Sequence, residues 1–403
     1  MESTQCPICN SNTFKVSQID SQATITRAGT KRYPIITVIC KNCGHVFNNP
    51  RMDQEELKNY YESYYGEDFG GTTPASPRAV LYDADIKWLK GQIKEVKGKK
   101  LLEIGSYMGN MLIEFQKQGW EVHGIEPTTK AATIAREKYG LSIDICFFEE
   151  VPVPEKEEDK YDLVVMGAVL EHISDPTSTL LRINQFLKSS GHLFVRVPNV
   201  EKLILDSVGT IFTVEHPNMF SQDALRMLYK KTGFKEIAET THENWHRQII
   251  SLAQKTVITS DALEFDLVTG LYEKVNEHLT WYNNFLQDNR SSINSKLEHL
   301  WYPDNKSVII YGAGNHTDFL LNHTSISKAN IIGLSDSNQA KWDHELFGYN
   351  VYPPKRIPEL KPDAVIISSR ACQDDIYKSI SYLEEMGIEI VRLYDIESVG
   401  ILG

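Results

Sequence analysis

The chain reads as α/β, a small cysteine-bearing module followed by two Rossmann-like units. Three observations predict this. Two C-x-x-C pairs, Cys6/Cys9 and Cys40/Cys43, stand near the start. Two apolar strands run into glycine turns and then helices, at KLLEIGSYMG from Lys100 and at SVIIYGAGN from Ser307. Each turn is followed by further apolar runs between helical stretches, the alternation of a parallel sheet.

Each C-x-x-C can form a tight knuckle whose backbone amides point at thiolate sulfur. Two knuckles give four soft ligands for a tetrahedral Zn²⁺, so Cys6, Cys9, Cys40 and Cys43 are the expected set. A closed four-thiolate site has no open position, and its expected role is structural. Four reduced thiols without metal is the alternative. His45 is adjacent but surplus as a ligand. TFKVSQI and YPIITVI read as strands that bring the knuckles together. Next, Asp53 is expected to cap a helix running to about Tyr64, closed by Gly70-Gly71. Tyr60, Tyr61, Tyr64 and Tyr65 form an aromatic face on it, expected to pack for the most part, with Tyr65 a candidate to meet substrate.

The first glycine turn is the richest segment. Leu101, Leu102 and Ile104 suit a buried strand. Gly105 and Gly109 bracket the turn, Met111 to Gln118 is helical in spacing, and Val122 to Ile125 is a second strand. Glu126 ends that strand, where an acid can take both hydroxyls of a ribose. The turn lacks the third glycine of G-x-G-x-x-G, and Glu103 would repel a phosphate. An acid there suits an ammonium group instead. Thr128 to Tyr139 reads as a helix, Ser142 to Cys146 and Tyr161 to Met166 as strands, and Asp175-Pro176 as a helix start reaching about Leu187. GHLFVRVPNV is a fifth strand with Asn199 at its C-terminal edge, where ligands sit in open α/β sheets. A loop, FTVEHPNMFS from Phe212, follows and places Glu215 beside His216 ahead of a helix from Ser221 to Thr232. A neutral imidazole is a suitable base near neutral pH.

EIGSYMG, GIEP and YDLVVMGAVLEHISDP, in that order, resemble the successive motifs of class I SAM-dependent methyltransferases over about Lys100 to Phe234. The resemblance implies S-adenosyl-L-methionine (SAM) as cofactor, held by Glu103, Gly105, Ser106, Gly109 and Glu126. It implies Phe147 or Phe148 along the adenine, with Ala168 and His172 bordering the methyl-donor site; His172 is read as a base or as a structural residue. Tyr107 stands where many members have glycine. The wider layout resembles the zinc-containing sugar C-methyltransferases, which act on nucleotide-linked keto sugars. In them a histidine following a glutamate takes a carbon-bound proton, roles that fall on His216 and Glu215. That family's loop carries a tyrosine where this chain has Thr213, so methylation at carbon and at oxygen both stay open. Asn199 and Thr213 are candidate substrate contacts.

From Ser260 to Leu300 the spacing of Leu263, Leu267, Leu271, Val275 and Leu279 predicts one long helix and a second ending near Trp301. The second glycine turn then opens a parallel unit with strands at SVIIY, IIGLSDSN, DAVIISSR and IEIVRLYD. Gly312 and Gly314 permit close approach of a ligand, the helix start at Asn315 is a phosphate seat, and Asp336 ends the second strand. The glycines serving only a tight turn is the alternative. In the resembling family this unit contributes to the nucleotide-sugar site. The expected division is 1–72 zinc module and helix, 73–258 methyltransferase domain, 259–303 helical connector and 304–403 C-terminal domain.

The 403 residues suit two or three domains, and 41% apolar with 24% charged is ordinary for a globular chain. A net charge of −12 disfavours a broad grip on nucleic acid or anionic lipid. No apolar run approaches a membrane span and MESTQCPICN has no signal-peptide core, so a cytoplasmic protein, monomer or homodimer, is expected. The functional expectation is methyl transfer from SAM to a nucleotide-activated sugar or related precursor for polysaccharide or secondary-metabolite synthesis. The rival is a binding protein whose core is retired and whose zinc module mediates assembly.

Overall fold

The computed structural model describes residues 1–26, 29–53, 55–57, 59–60, 77–93, 99–206, 211–241, 247–258, 270–370 and 372–394. Tyr61, Tyr64, Tyr65, the Gly70-Gly71 stop, Leu263 and Leu267 lie outside the described residues. The chain divides into two compact units. The first comprises Met1–Asp20, Ile35–Asp206 and Phe212–Leu279, so most of the cysteine module folds with the central domain. The second comprises Ser21–Pro34, Ser207–Ile211 and Thr280–Gly403.

The module supplies β1 (Phe14–Thr26), β2 (Gly29–Cys40) and β3 (Val46–Asn48). The expected cap is present: the Asp53 carboxylate accepts from Glu56 N at 2.9 Å, and residues 55–57 and 59–60 are helical.

After α1 (Pro77–Gln92) the chain enters the central sheet. Its elements in order are β4 (Lys100–Ile104), α2 (Asn110–Gln116), β5 (Glu121–Ile125), α3 (Thr129–Tyr139), β6 (Ile143–Asp144), β7 (Tyr161–Gly167), α4 (Pro176–Phe186), β8 (Leu187–Pro198) and α5 (Val200–Asp206). There follow β9 (Asn218–Met219), α6 (Gln222–Thr232), β10 (Phe234–Thr240) and β11 (Gln248–Lys255). The sheet order is β10-β11-β8-β7-β4-β5-β6. Strands β4 to β8 pair in parallel, and β11 lies antiparallel between β8 and β10. The order reverses between β4 and β7, so the switch point, where a ligand crevice forms in such sheets, falls at the C-terminal end of β4.

Local chemistry explains these elements. Asp175 caps α4 by accepting from Ser178 N at 2.9 Å, with Pro176 in its first turn. Ser221 caps α6, and Gly233 ends it in the left-handed region at φ 77°. The expected strand at Ser142–Cys146 shrinks to two residues, because β6 is an edge and pairs with β5 alone. β8 starts earlier than GHLF implies, running directly out of α4. β9 leaves the central sheet and instead extends the module as β1-β2-β3-β9.

Among the described residues, the helical stretch before the second unit is the single helix α7 (Leu271–Leu297); residues 259–269, where the expected first helix would begin, lie outside them. Leu271, Val275, Leu279, Tyr282, Leu286, Ile293 and Leu297 keep one buried stripe throughout, so no break is needed. The second unit holds β12 (Ser307–Tyr311), α8 (Asn315–His323), β13 (Asn330–Ser335), β14 (Glu345–Leu346), β15 (Tyr349–Tyr352), α9 (Ile357–Leu360), β16 (Ala364–Ile367), α10 (Gln373–Ile380) and β17 (Glu389–Arg392). Its sheet order is β14-β15-β13-β12-β16-β17, parallel except for the β14–β15 edge. That edge hairpin escapes the sequence reading. Its turn uses Phe347 and Gly348, both at positive φ (55° and 85°), as a primed hairpin turn requires. Among the described residues no helix is long and apolar enough to cross a membrane.

Candidate active site

The end of β4 gathers the first set of side chains. Gly105 takes φ 70°, and a Cβ there would stand 2.6 Å from a Val169 methyl, so only glycine makes this turn without strain. Gly109 repeats the device before α2 at φ 75°. Glu126 is 5% exposed. Its two carboxylate oxygens accept from Tyr107 N and Thr128 N, each at 2.8 Å, which pins the turn to the end of β5. A carboxylate has about four acceptor positions, so lone pairs remain for a ribose.

Glu103 is 2% exposed, and its Oε2 has no hydrogen-bond partner. Burial, then the nearby Glu126 charge, pushes its pKa well above the usual carboxylate range. Ser106 Oγ is likewise buried without a partner. An orphaned carboxyl and hydroxyl beside a glycine turn fit the ammonium and carboxylate of an amino-acid ligand, and so fit SAM. A buried ion pair, Arg196–Asp85 at 3.1 Å, lies close enough for the Arg196 charge to favour ionised Glu103. Neither partner emerges from periodicity; the only hint is one arginine inside the apolar strand LFVRV.

Ala168 closes β7 in the left-handed region at φ 60° and is exposed. Of the two candidate adenine neighbours, Phe148 faces the core. It is 3% exposed and meets the Phe186 ring at 5.0 Å, with Arg182 at 5.6 Å on its other contact. Phe147 is half-buried at the same loop. Asn199 Oδ1 accepts from Glu201 N at 3.0 Å and so caps α5.

The second set lies around the E-H loop. The loop is a turn rather than an extended segment, with His216 N donating to Thr213 O at 3.3 Å. The His172 and His216 rings meet edge to face at 4.5 Å. His172 Nδ1 bonds to the backbone carbonyl of Glu215 at 2.9 Å, so Glu215 contributes its main chain to that contact. Burial alone pulls His216 down to about 4, which keeps the imidazole neutral. Glu171, not singled out in the sequence, is 2% exposed, with Oε2 lacking a partner. Burial raises it to about 8, so it is a neutral acid at pH 7. One ligand-type atom from each of Glu171, His172 and His216 falls within 4.8 Å of the others. Thr213 Oγ1 is also buried without a partner.

The four cysteine sulfurs lie within 4.8 Å of one another, with Cys6–Cys43 at 3.5 Å and Cys9–Cys40 at 3.4 Å. Zn–S bonds of about 2.3 Å in a tetrahedron separate sulfurs by roughly 3.8 Å, so the set fits a Zn²⁺ ion. His45 stands apart from it. Its Nε2 meets Asn218 Oδ1 at 3.0 Å, and the residue is fully buried.

In the second unit, Gly312 takes φ 114° with Ser368 O 2.8 Å from where a Cβ would lie, whereas Gly314 faces open space. Asp336 repeats the role of Glu126. Its carboxylate accepts from Ala313 N at 2.9 Å and from Asn338 N at 2.8 Å, and Lys341 Nζ joins it at 2.9 Å. Asn315 opens α8 next to this turn.

Residues 87–239 match the family model of a methyltransferase domain, and residues 304–392 match that of the C2185-like N-terminal domain. The chain is 27% identical over 163 residues to the ubiquinone biosynthesis O-methyltransferase of Pasteurella multocida, covering 37% of this chain and 66% of that protein. It is 24% identical over 210 residues to the C-methyltransferase NovU of Streptomyces niveus, covering 52% and 48%. The chain thus spans less than two thirds of either relative. Among solved structures, a putative SAM-dependent methyltransferase of Listeria monocytogenes aligns at 16% identity and TM-score 0.37, over 43% of this chain and 99% of that one. The magnesium protoporphyrin IX methyltransferase of Synechocystis, solved with SAM, aligns at 13% identity and TM-score 0.40, over 52% and 100%. The family model falls on the stretch that carries the β4 glycine turn, Glu103 and Glu126, and the chain contains a SAM-dependent methyltransferase domain of the class I fold.

Proposed function

We propose that the protein transfers the SAM methyl group to an oxygen, or to a carbon beside a carbonyl, of a nucleotide-activated sugar or related glycan precursor, with His216 as base. The observation that carries this reading is the half-buried, neutral His216 ring set edge to face against His172, which lies in the short turn of helix after β7. SAM supplies an electrophilic methyl on a sulfonium. The acceptor must lose a proton as the methyl arrives, and in this reading His216 takes it. Taking that proton leaves one cation in the site before and after transfer, which keeps the cost of burial nearly constant. Alignment is the larger share of the work in such a displacement, and the His172–Glu215 bond holds the base loop for it. Thr213 Oγ1 is free to donate to an acceptor carbonyl or hydroxyl.

The sugar assignment is supported by the second glycine turn, where Gly314 faces open space and Lys341 sets a cation beside Asp336. A nucleotide phosphate at that turn is the ligand such chemistry recognises. The four cysteines hold a structural Zn²⁺ in this reading. The test is a panel of nucleotide sugars incubated with methyl-labelled SAM, with the product's methyl carbon located by NMR. His216→Ala should remove turnover while SAM affinity stays within a few-fold. Turnover that survives this change places the base elsewhere.

A further inference from the structure

We infer that Asn48 is a positioning residue through which the cysteine module holds the His216 loop in place. This rests on the proposed role of His216 and assigns a task to the module itself. Between Thr213 and Pro217, four backbone carbonyls accept from donors outside the loop. Glu215 O takes His172 Nδ1. The other three all face Asn48: its side-chain Nδ2 donates to Thr213 O at 2.9 Å and to His216 O at 3.2 Å, and its backbone N donates to Pro217 O at 2.9 Å.

The carboxamide is the right group for this position. Two carbonyls on one side demand two N–H donors from a single short side chain, which fixes the orientation of the amide. Its Oδ1 then faces Thr37 Oγ1 at 3.1 Å on β2, so both ends are satisfied although the residue is only 3% exposed. An aspartate would set a carboxylate against two carbonyl oxygens. An alanine would remove this donor from the His216 carbonyl and leave the Thr213 carbonyl with the 3.3 Å bond from His216 N.

The other end of this contact is the knuckle. Cys40 N donates to His45 O and Gly44 N donates to Cys40 O, each at 2.9 Å, and β3 begins directly after at Val46. β3 pairs with β2 on one side and with β9 on the other, through Val46↔Met219 and Phe47↔Asn218. Asn218 closes the circuit: its Oδ1 meets His45 Nε2, and its Nδ2 donates to Ile173 O at 2.6 Å, next to His172. Three residues of strand therefore join the Cys40–Cys43 knuckle to the base loop, and the ordering of one fixes the other.

The test uses the full zinc-loaded chain. Asn48→Ala and Asn48→Asp should lower kcat by roughly 10-fold to 100-fold, the cost of a base misplaced by about an ångström. KM and binding affinity for SAM should stay within a few-fold, and metal content should stay at the wild-type level. Backbone amides of residues 213–219 should exchange hydrogen faster while those of 100–126 keep their protection. Removing the metal from the wild-type chain should speed exchange in 213–219 in the same way, a readout that needs neither a substitution nor turnover. Unchanged exchange in 213–219 in the variants and after metal removal overturns the proposal. So does a loss of SAM affinity equal to the loss of kcat, which marks Asn48 as a general packing residue. If His216→Ala keeps its turnover, the base assignment fails while the exchange result still reports on the clamp.

Discussion

The imidazole of His216 stands edge to face on that of His172, ring centroids 4.5 Å apart and planes at 75°. One ring is anchored, because His172 Nδ1 bonds to the main chain of Glu215. The other is held neutral by burial. In the proposed reaction, this asymmetry gives a proton acceptor with a fixed neighbour.

The pH dependence follows. His216 sits at about 4, against 6.5 for a free histidine. At saturating SAM, the kcat/KM profile for the acceptor should therefore show no imidazole limb at 6.5 and should stay level toward pH 5. Unfolding returns the ring to 6.5. Between about 4 and 6.5 the unfolded chain binds the extra proton, so stability should fall as pH drops through that window. A limb at 6.5 that disappears in a variant of an exposed histidine would contradict the assignment.

Glu171 offers a second test. Burial raises it to about 8 from 4.5, so it is protonated at pH 7 and resembles a glutamine there. Glu171→Gln should keep activity within a few-fold at pH 7. The folded state of the native chain binds the proton between about 4.5 and 8, so native stability falls as pH rises through that range. The variant should escape this loss and gain most at pH 8. Thermal melts at pH 5 and pH 8 measure it. A variant inactive at pH 7 would mean that Glu171 works as a carboxylate, with a bound cation or a protonated histidine beside it.

Glu103 predicts a proton-linked affinity. Its carboxyl is raised well above the ordinary range in the free chain. Pairing with an ammonium favours the ionised form, so SAM binding should release a proton and tighten as pH rises. Calorimetry in buffers of different ionisation enthalpy reads this directly. Glu103→Gln should weaken SAM by roughly 10-fold to 100-fold, as expected for a lost charged hydrogen bond of about 1.5–3 kcal/mol, and should abolish the proton release.

Two glycines separate backbone strain from packing. Gly105 and Gly119 both have positive φ, 70° and 86°, but a Cβ at Gly105 meets Val169 at 2.6 Å while one at Gly119 meets nothing within 4 Å. Gly119→Ala should cost about 1–2 kcal/mol, the left-handed penalty. Gly105→Ala should cost more, since a β-branched valine has little rotamer freedom to yield, and should also weaken SAM. Equal melting temperatures for the two variants would contradict this account of the turn.

Much of the central sheet was legible because its strands are short apolar runs closed by glycines and caps. β4, β5, β7, α4 and α6 follow from Leu101–Ile104, Val122–Ile125, Tyr161–Met166, Asp175-Pro176 and Ser221. What escaped depends on partners distant in sequence. β11 is fully tertiary in origin, since IISLA is an apolar run whose place between β8 and β10 no local signal gives. Phe148 is a candidate adenine neighbour in sequence, and its packing against Phe186 and Arg182 is set by residues far along the chain. The site divides the same way. The cysteine pairs, Glu103, Glu126 and His216 are marked by spacing or motif. Asn48, Asn218 and the Arg196–Asp85 pair are ordinary residues in sequence and acquire a role only through contacts far along the chain.

The most direct test is a calorimetric titration of the purified chain with SAM and with S-adenosylhomocysteine. The account predicts saturable binding of both ligands at one site per chain, with SAM affinity lost or severely weakened in Glu103→Gln and retained in His216→Ala. No heat of binding for either ligand on folded, metal-replete protein would contradict it.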